Sequence, residues 1–231
     1  MKHLAISLAA VFLAVSLCGC GADEPAPAPK PESKADLTKY VDLYCNGEYE
    51  AALAEVDRVL AEHPDNTNAH AQRAMPLCEL LRFEEAIKEY EWLIARDPNN
   101  AIAYVFMGFA YMAPDRQAES VAAFKQGAEV YEKKIKEVCK TSNPWANDSY
   151  MGAAVCLYFS GQKSQSLEMM DKALEAAGTN DDLREILLKT REALEADEID
   201  HFVPEYVSKR KNSVAPPEQE PSKPAPRLKS H

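Results

Sequence analysis

The sequence predicts an all-α protein, a short helical solenoid of about four helix pairs with a capping helix and disordered termini. Two stretches, 47–66 and 81–100, align at one constant offset, so that Tyr49 matches Phe83 and Pro64 matches Pro98. Only 8 of the 231 residues are glycine, and the interior is rich in Ala, Leu, Glu and Lys, which favours helix over strand. A fixed period of this kind predicts stacked repeats, in which each unit covers the open face of its neighbour.

Each repeat is predicted to contain two helices. In the second unit Phe83, Ile87 and Tyr90 recur at spacings of three to four residues, which places them on one apolar stripe of a helix. Pro98 follows this helix and ends it, because proline cannot continue the hydrogen-bond ladder. The preceding helix is predicted over about 68–80. The polar pairs Glu84-Glu85 and Glu89-Glu91 are expected to form solvated helix faces.

The third and fourth units depart from this pattern in their lengths. The third unit begins at Ala101 and lacks the closing proline, so its second helix is expected to run on towards Val138. After Pro144 a degenerate fourth unit is predicted to begin near Asn147, with Gly161 in the turn between its helices.

A final amphipathic helix is expected to close the array. Leu183, Ile186 and Leu187 lie on one stripe, and Asp181 or Asp182 is the expected N-cap. Such a helix is needed because the last repeat leaves an apolar face uncovered.

The third unit carries the fullest repeat signature. Its signature residues are Tyr104, Met107, Gly108, Tyr111, Ser120 and Phe124. With the period and the two helices per unit, this pattern resembles the tetratricopeptide repeat (TPR) family. The resemblance covers about 33–180 and is weak in the fourth unit. It implies a superhelix whose first helices line a concave groove that binds other proteins.

The positions that face such a groove in the family are mostly apolar in this sequence. They include Leu37, Val41, Tyr44, Ala71, Met75, Ile102, Val105, Phe109, Met112, Met151, Val155 and Tyr158. The basic and Asn residues of a carboxylate-clamp groove are absent, so an apolar or amphipathic partner segment is expected. The alternative is that the stripe is internal core, or is covered by the C-terminal helix. Pro76 is expected to bend its helix, which either opens the groove or is a tolerated irregularity.

The first residues predict export and lipid anchoring. An uncharged apolar run over 4–17 has the length of a secretory signal and is too short to span a membrane. The following Leu-Cys-Gly-Cys at 17–20 resembles the bacterial lipobox, which implies cleavage after Gly19 and acylation of Cys20. Gly21 in place of Asp then favours the outer membrane, facing the periplasm. A plain signal peptide with incidental cysteines is the alternative.

These observations divide the chain into four parts. They are a signal peptide at 1–19, an acylated cysteine with a proline-rich linker at 20–35, a repeat domain at 36–197, and a proline-rich basic tail at 198–231. The tail is expected to remain disordered because it has few apolar residues to bury. Its exceptions are Phe202, Val203, Tyr206 and Val207, which are expected to dock either on the body or on a partner.

Charge and composition argue against several classes of function. The formal net charge of −11 disfavours nucleic acid binding. His63 and His70 lie too far apart in sequence for a compact metal-ligand spacing. The body has no Cys-x-x-Cys pair and no glycine-rich phosphate loop. No catalytic residue, metal, cofactor or small-molecule substrate is therefore expected.

Four cysteines remain in the body. They are Cys45, Cys78, Cys139 and Cys156. Export makes disulfides chemically possible, and Cys45 and Cys78 are expected at similar heights on neighbouring first helices. A bond between them is feasible, and buried free thiols are the alternative.

Together these features predict a scaffold or adaptor of the bacterial cell envelope. Its lipid anchor would hold it to the membrane, and its apolar groove would bind a segment of an envelope or periplasmic protein. The alternatives are an enzyme or enzyme-complex subunit with an unrecognised site, and a purely structural spacer.

Overall fold

Within the part of the chain that the computed structural model describes, nine α-helices are present and no strand. The described residues are 37–112, 116–138, 146–198, 203–204 and 206–207. The helices are α1 (Thr38–Cys45), α2 (Tyr49–Glu62), α3 (Thr67–Glu79), α4 (Phe83–Arg96), α5 (Ala101–Ala110), α6 (Gln117–Val138), α7 (Ala146–Phe159), α8 (Lys163–Ala176) and α9 (Asp181–Ala196). The predicted all-α class is confirmed. The signal, the linker, Cys20 and most of the tail lie outside the described residues.

The helices form four pairs, from α1 with α2 to α7 with α8, and α9 packs on α8 at the end. Each helix packs on the next along the chain, as expected for a solenoid. The long α6 reaches Val138 as its missing proline predicted, and α7 begins at Ala146, one residue before the predicted start.

Asparagine side chains cap three of the helices. The side chains of Asn66, Asn100 and Asn180 each accept a hydrogen bond from the backbone N–H three residues later, at 3.0–3.1 Å. The predicted capping of α9 by Asp181 or Asp182 is therefore wrong. Both aspartates lie in the first helical turn, and Asn180 precedes it in an extended conformation that lets its side chain reach back to the helix.

The turns inside the helix pairs need left-handed backbone. Gly47 and Gly161 occupy these turns with φ of +78° and +86°, which is accessible to glycine because it lacks a Cβ. The prediction for Gly161 is confirmed. The second unit places Leu81, with φ of +59°, at the repeat position equivalent to Gly47.

Small side chains at one repeat position let the paired helices approach closely. Ala86 is fully buried there in the second unit. In the third unit the Ser120 hydroxyl donates to the Gly108 carbonyl at 2.9 Å. In the fourth unit the Ser166 hydroxyl donates to the Ala154 carbonyl at 2.7 Å. Serine thus keeps the close contact and satisfies its own buried hydroxyl.

After α9 the chain returns to the body. The Asp197 carboxylate accepts hydrogen bonds from the Tyr158 hydroxyl and the Lys163 ammonium, both at 2.8 Å, which fixes the end of α9 on the fourth unit. Further on, Val203, Pro204, Tyr206 and Val207 are buried; we call these four residues the strap. The Tyr206 ring lies 5.9 Å from the ring of Phe83 in the second unit. Of the segment predicted to dock on the body or on a partner, Val203, Tyr206 and Val207 therefore dock on the body, and Phe202 lies outside the described residues.

Candidate protein-binding cleft

A cleft of about 240 Å³ opens between the first helices of units one to three. Its lining residues are Tyr40, Val41, Tyr44, Cys45, Asn68, Ala71, Gln72, Met75, Tyr90, Leu93, Asn100, Ile102, Ala103 and Phe106. Five of the predicted groove residues are among them, namely Val41, Tyr44, Ala71, Met75 and Ile102. The structure brings these five together on one surface.

Helical periodicity explains why these side chains converge. On α3 the lining residues Asn68, Ala71, Gln72 and Met75 follow one another at spacings that place them on a single face. Tyr40 and Tyr44 do the same on α1, and their rings stack with centroids 5.8 Å apart. Each short first helix thus contributes one stripe to the wall.

A second pair of aromatic rings also lines the cleft. Tyr90 from α4 and Phe106 from α5 stack with centroids 6.2 Å apart and planes inclined by 13°. Aromatic pairs of this kind present large, rigid apolar surfaces at little cost in side-chain freedom. The cleft therefore offers two pairs of aromatic rings to a ligand.

The lining is neutral. None of its fourteen described residues is acidic, basic or a histidine. Burial raises the pKa of the Tyr40 and Tyr44 hydroxyls well above the usual range, so both stay protonated at neutral pH. A charged ligand group would lose its hydration here without gaining a counter-charge from the lining.

Two buried polar atoms belong to cleft residues and have no hydrogen-bond partner within the described ranges. They are the hydroxyl of Tyr40 and the side-chain carbonyl of Gln72. The amide nitrogen of Gln72 already donates to Asn68, at 3.3 Å. Buried polar groups normally find partners, so these atoms suit a ligand that supplies a hydrogen-bond donor and an acceptor.

Pro76 lies inside the first helix of the second unit. The helix α3 runs through the buried Pro76 to Glu79. Because proline has no N–H, the backbone carbonyl of Gln72 loses its usual helical donor. The helix continues for three residues beyond the proline despite this loss.

The remaining predicted groove residues do not lie in this cleft. Leu37, Val105, Phe109, Met151 and Val155 are buried, with at most 8% of their surface exposed. Met112 and Tyr158 are half-buried against the core. For these seven positions the open-groove hypothesis is corrected in favour of the covered-core alternative.

Packing from distant parts of the chain closes this half of the groove. The Phe109 ring lies edge-on to Phe124 and to Phe159, each at 5.2 Å. Phe124 belongs to the second helix of the third unit and Phe159 to the first helix of the fourth unit. Aromatic side chains therefore fill the space that a ligand would need.

The carboxylate of Glu89 is buried, although Glu89 was predicted to lie on a solvated helix face. Through Arg73 it takes part in a network of ion pairs that connects the first two units. Glu89 is only 8% exposed and accepts from Arg73 and His70, both at 2.5 Å. Arg73 also pairs with Asp57 on α2, at 2.6 Å. The same arrangement occurs one repeat period earlier, where Lys39 pairs with Glu55 at 2.8 Å. The repeat period itself was the signal that could have identified this buried pair.

His70 is also held in place by contacts beyond this network. Its ring stacks on Trp92 with centroids 3.6 Å apart, and its second nitrogen faces the Pro64 carbonyl at 2.9 Å. Across the described ranges no group of three or more His, Cys, Asp or Glu side chains is placed to hold a metal ion.

Cys45, Cys78 and Cys156 form no disulfide in the described part of the chain, so the feasible bond between Cys45 and Cys78 is not formed. Cys45 is exposed at the cleft, whereas Cys78 is buried with its Sγ 4.0 Å from the Tyr90 hydroxyl. Burial raises the pKa of Cys156 above its ordinary value, which suppresses the reactive thiolate. Cys139 lies outside the described residues.

No helix in the described ranges combines the length and the apolar character needed to cross a membrane.

Comparison with known proteins agrees with this architecture. No family model matches the chain. A segment of 81 residues, 35% of this chain, is 30% identical to small glutamine-rich tetratricopeptide repeat-containing protein 2 of Saccharomyces cerevisiae. The match spans 23% of that relative's length.

Solved structures give the same class. Nearly identical TPR-like repeats of a Podosopora anserina protein named for kinesin light chain match with a TM-score of 0.50 and 16% identity, over 78% of this chain and 95% of that one. MamA from Desulfovibrio magneticus, from residue 41 onward, matches with a TM-score of 0.44 and 18% identity, over 63% of this chain and 75% of that one. The class defined by the fold is the TPR-type helical array, as the period predicted. One segment of the chain is similar in sequence to a tetratricopeptide repeat protein.

Proposed function

We propose that this protein is a non-catalytic scaffold that binds a neutral, largely apolar segment of a partner protein in the cleft between α1, α3 and α5. The TPR-type fold supports a protein-interaction role. The observation that carries the finer proposal is the cleft itself, in which five predicted groove residues meet beside aromatic walls and unpartnered acceptors.

The chemistry of the lining specifies the ligand. Tyrosine, phenylalanine and methionine side chains supply apolar contact, and Met75 can adjust its shape to different ligands. The Tyr40 hydroxyl and the Gln72 carbonyl supply hydrogen-bonding groups for a peptide backbone. An extended segment with one or two aromatic or aliphatic side chains satisfies both requirements.

Peptide display against the full chain tests this proposal. Selection should enrich neutral sequences that carry aromatic or aliphatic residues. Met75→Glu and Ile102→Glu should each weaken binding of an enriched peptide at least ten-fold, because an apolar ligand would strip water from the new carboxylate and supply no counter-charge. Leu188→Glu, at an exposed leucine of α9, is the matched control. Unchanged affinity in both cleft variants would contradict the proposal.

We also propose that the scaffold is tethered to the outer membrane through acylated Cys20 and faces the periplasm, where its partner would be an envelope or periplasmic protein. The support is the Leu-Cys-Gly-Cys sequence at 17–20 after an apolar signal-like run. Several acyl chains would bury many methylenes at roughly 0.8 kcal/mol each, which makes such an anchor stable. Mass spectrometry of the mature amino terminus should show an acylated Cys20, and Cys20→Ala should release the protein from the membrane fraction. An unmodified Cys20 would remove the tether from the proposal.

A further inference from the structure

The strap is the feature that the proposed function leaves unexplained. Val203, Tyr206 and Val207 are at most 7% exposed, and Val207 is almost fully buried. They belong to the same apolar cluster as Cys78 and Phe83 of the second unit. A segment that follows the capping helix has thus become part of the interior of an earlier repeat.

The strap lies beside the open cleft. The Tyr206 ring contacts Phe83 at 5.9 Å, and Tyr206 belongs to the same apolar cluster as Cys78 and Tyr90. The Cys78 Sγ lies 4.0 Å from the Tyr90 hydroxyl, and Tyr90 also lines the cleft. The strap site and the cleft are therefore adjacent, with Tyr90 belonging to both.

Four buried side chains attach the strap to its site. They are two valines, a proline and a tyrosine. The Val207 N–H donates to the Pro204 carbonyl at 2.9 Å, so the strap forms a helical turn with a backbone bond of its own. A partner segment of the same composition and the same turn would present the same apolar groups to the same surface.

We propose that the surface beneath the strap is a second partner site, and that the strap is its built-in ligand, displaced by a partner segment of valine, proline and tyrosine type that forms the same turn. The inference rests on the protein-binding role proposed above. Replacing the strap by a like segment exchanges equivalent contacts. A partner segment that continues past Tyr90 gains the open cleft as well, which favours it over the strap.

A peptide probe tests the exchange. The probe is a fluorescent peptide with the sequence of residues 201–208, titrated into the full chain in detergent. Tyr206→Ala removes the ring that packs on Phe83 and should vacate the site. The probe should then bind at least ten-fold more tightly than it binds the wild type. Leu188→Ala, a truncation of an exposed leucine on α9, should bind the probe as the wild type does.

Each remaining outcome overturns the proposal. A folded Tyr206→Ala chain that binds the probe no better than the wild type shows that the surface does not accept a segment in trans. Unfolding of both Tyr206→Ala and the milder Val203→Ala shows that the strap is permanent core. A wild-type dimer that Tyr206→Ala dissociates assigns the strap to a second copy. Because the probe reports on the strap site and the display-selected peptides report on the cleft, failure of this inference is distinguishable from failure of the proposed function.

Discussion

Glu89 and Arg73 show how the repeat period determines the role of a single side chain. The pair repeats the contact of Glu55 with Lys39, offset by one period in both members. Glu89 lies three residues after Ala86 on the buried face of α4, which explains why it is inside. A carboxylate at this position is tolerated because the neighbouring first helix supplies its cation.

Removing the Glu89 carboxylate should destabilise the array. Glu89→Ala leaves Arg73 and His70, whose side chains are 23% and 14% exposed, without their shared acceptor. The expected loss is about 1–3 kcal/mol of unfolding free energy, measured by urea denaturation. Glu91→Ala, at an exposed position of the same helix, should change stability by less than about 0.5 kcal/mol. Equal losses in both variants would show that the buried network contributes nothing.

Leu81 is the strained residue of the second unit. A leucine at φ of +59° carries a cost that Gly47 avoids at the equivalent position. Leu81→Gly should stabilise the protein by about 1 kcal/mol, because the relief of strain exceeds the extra chain entropy of glycine. Leu81→Ala keeps the Cβ and should give no such gain. A Leu81→Gly variant that melts below the wild type would refute the assignment of strain.

Neighbouring helices, within a pair and between pairs, approach each other closely at small residues. A Cβ added to Gly152 would meet ring carbons of Tyr131 at 2.3–2.7 Å, so α6 and α7 touch through this glycine. A Cβ on Gly108 would likewise meet the Phe124 ring at 2.8 Å. The register of the helices is thus determined by which positions lack bulk, and the serines of units three and four add a hydrogen bond at the corresponding contact.

The end of α9 depends on an ionised aspartate. Hydrogen bonds from Lys163 and then Tyr158 hold the pKa of Asp197 below its ordinary value. A group with a lowered pKa in the folded state stabilises that state above the unfolded pKa of about 3.9, and the stabilisation is lost as pH falls through the folded pKa. The backbone of Asp197 is left-handed, and asparagine also tolerates this conformation. The Asp197→Asn variant should therefore fold and should melt below the wild type at pH 7.

A pH series of thermal melts checks this element. The difference between the wild type and Asp197→Asn should shrink as the pH falls below about 3.9 and disappear once it is below the lowered pKa of folded Asp197, because the carboxyl is then neutral in both folded and unfolded chains. Tyr158→Phe removes only one of the two donors and should show part of the difference. A difference that persists unchanged at pH 2–3 would mean that charge on Asp197 does not stabilise the end of α9.

The molecule as a whole has one open and one closed part along its groove side. The cleft of units one to three is lined by half-buried residues such as Met75 and Ile102. Beyond it Val105 and Phe109 of α5 and Met151 and Val155 of α7 are buried. The cleft open to a ligand therefore lies in the first half of the described array.

Two substitutions that introduce a charge at equivalent repeat positions should distinguish the open cleft from the buried part of the groove. Phe109 is 3% exposed, so Phe109→Glu buries an uncompensated carboxylate and should cost several kcal/mol of unfolding free energy. Met75→Glu places the same charge at the open cleft, where water reaches it, and should cost far less. Urea denaturation monitored by circular dichroism measures both. Similar stabilities for the two variants would contradict the division of the groove.

The sequence by itself determined the repeat, the helix pairs, the long α6 and the glycine turn at Gly161. These features follow from local physical chemistry: apolar spacing along a helix, the missing N–H of proline and the freedom of glycine. The fold class was therefore predictable from the pattern of a single unit and its recurrence.

Only the tertiary structure decided which groove positions are open. Met75 and Phe109 occupy the same repeat position in successive units, and nothing in their local sequence separates their roles. Met75 lines a cleft because no later part of the described chain covers it. Phe109 is buried because the rings of Phe124 and Phe159 are brought onto it from other helices. Burial depends on what packs against a face, and a periodic pattern specifies the face without specifying its cover.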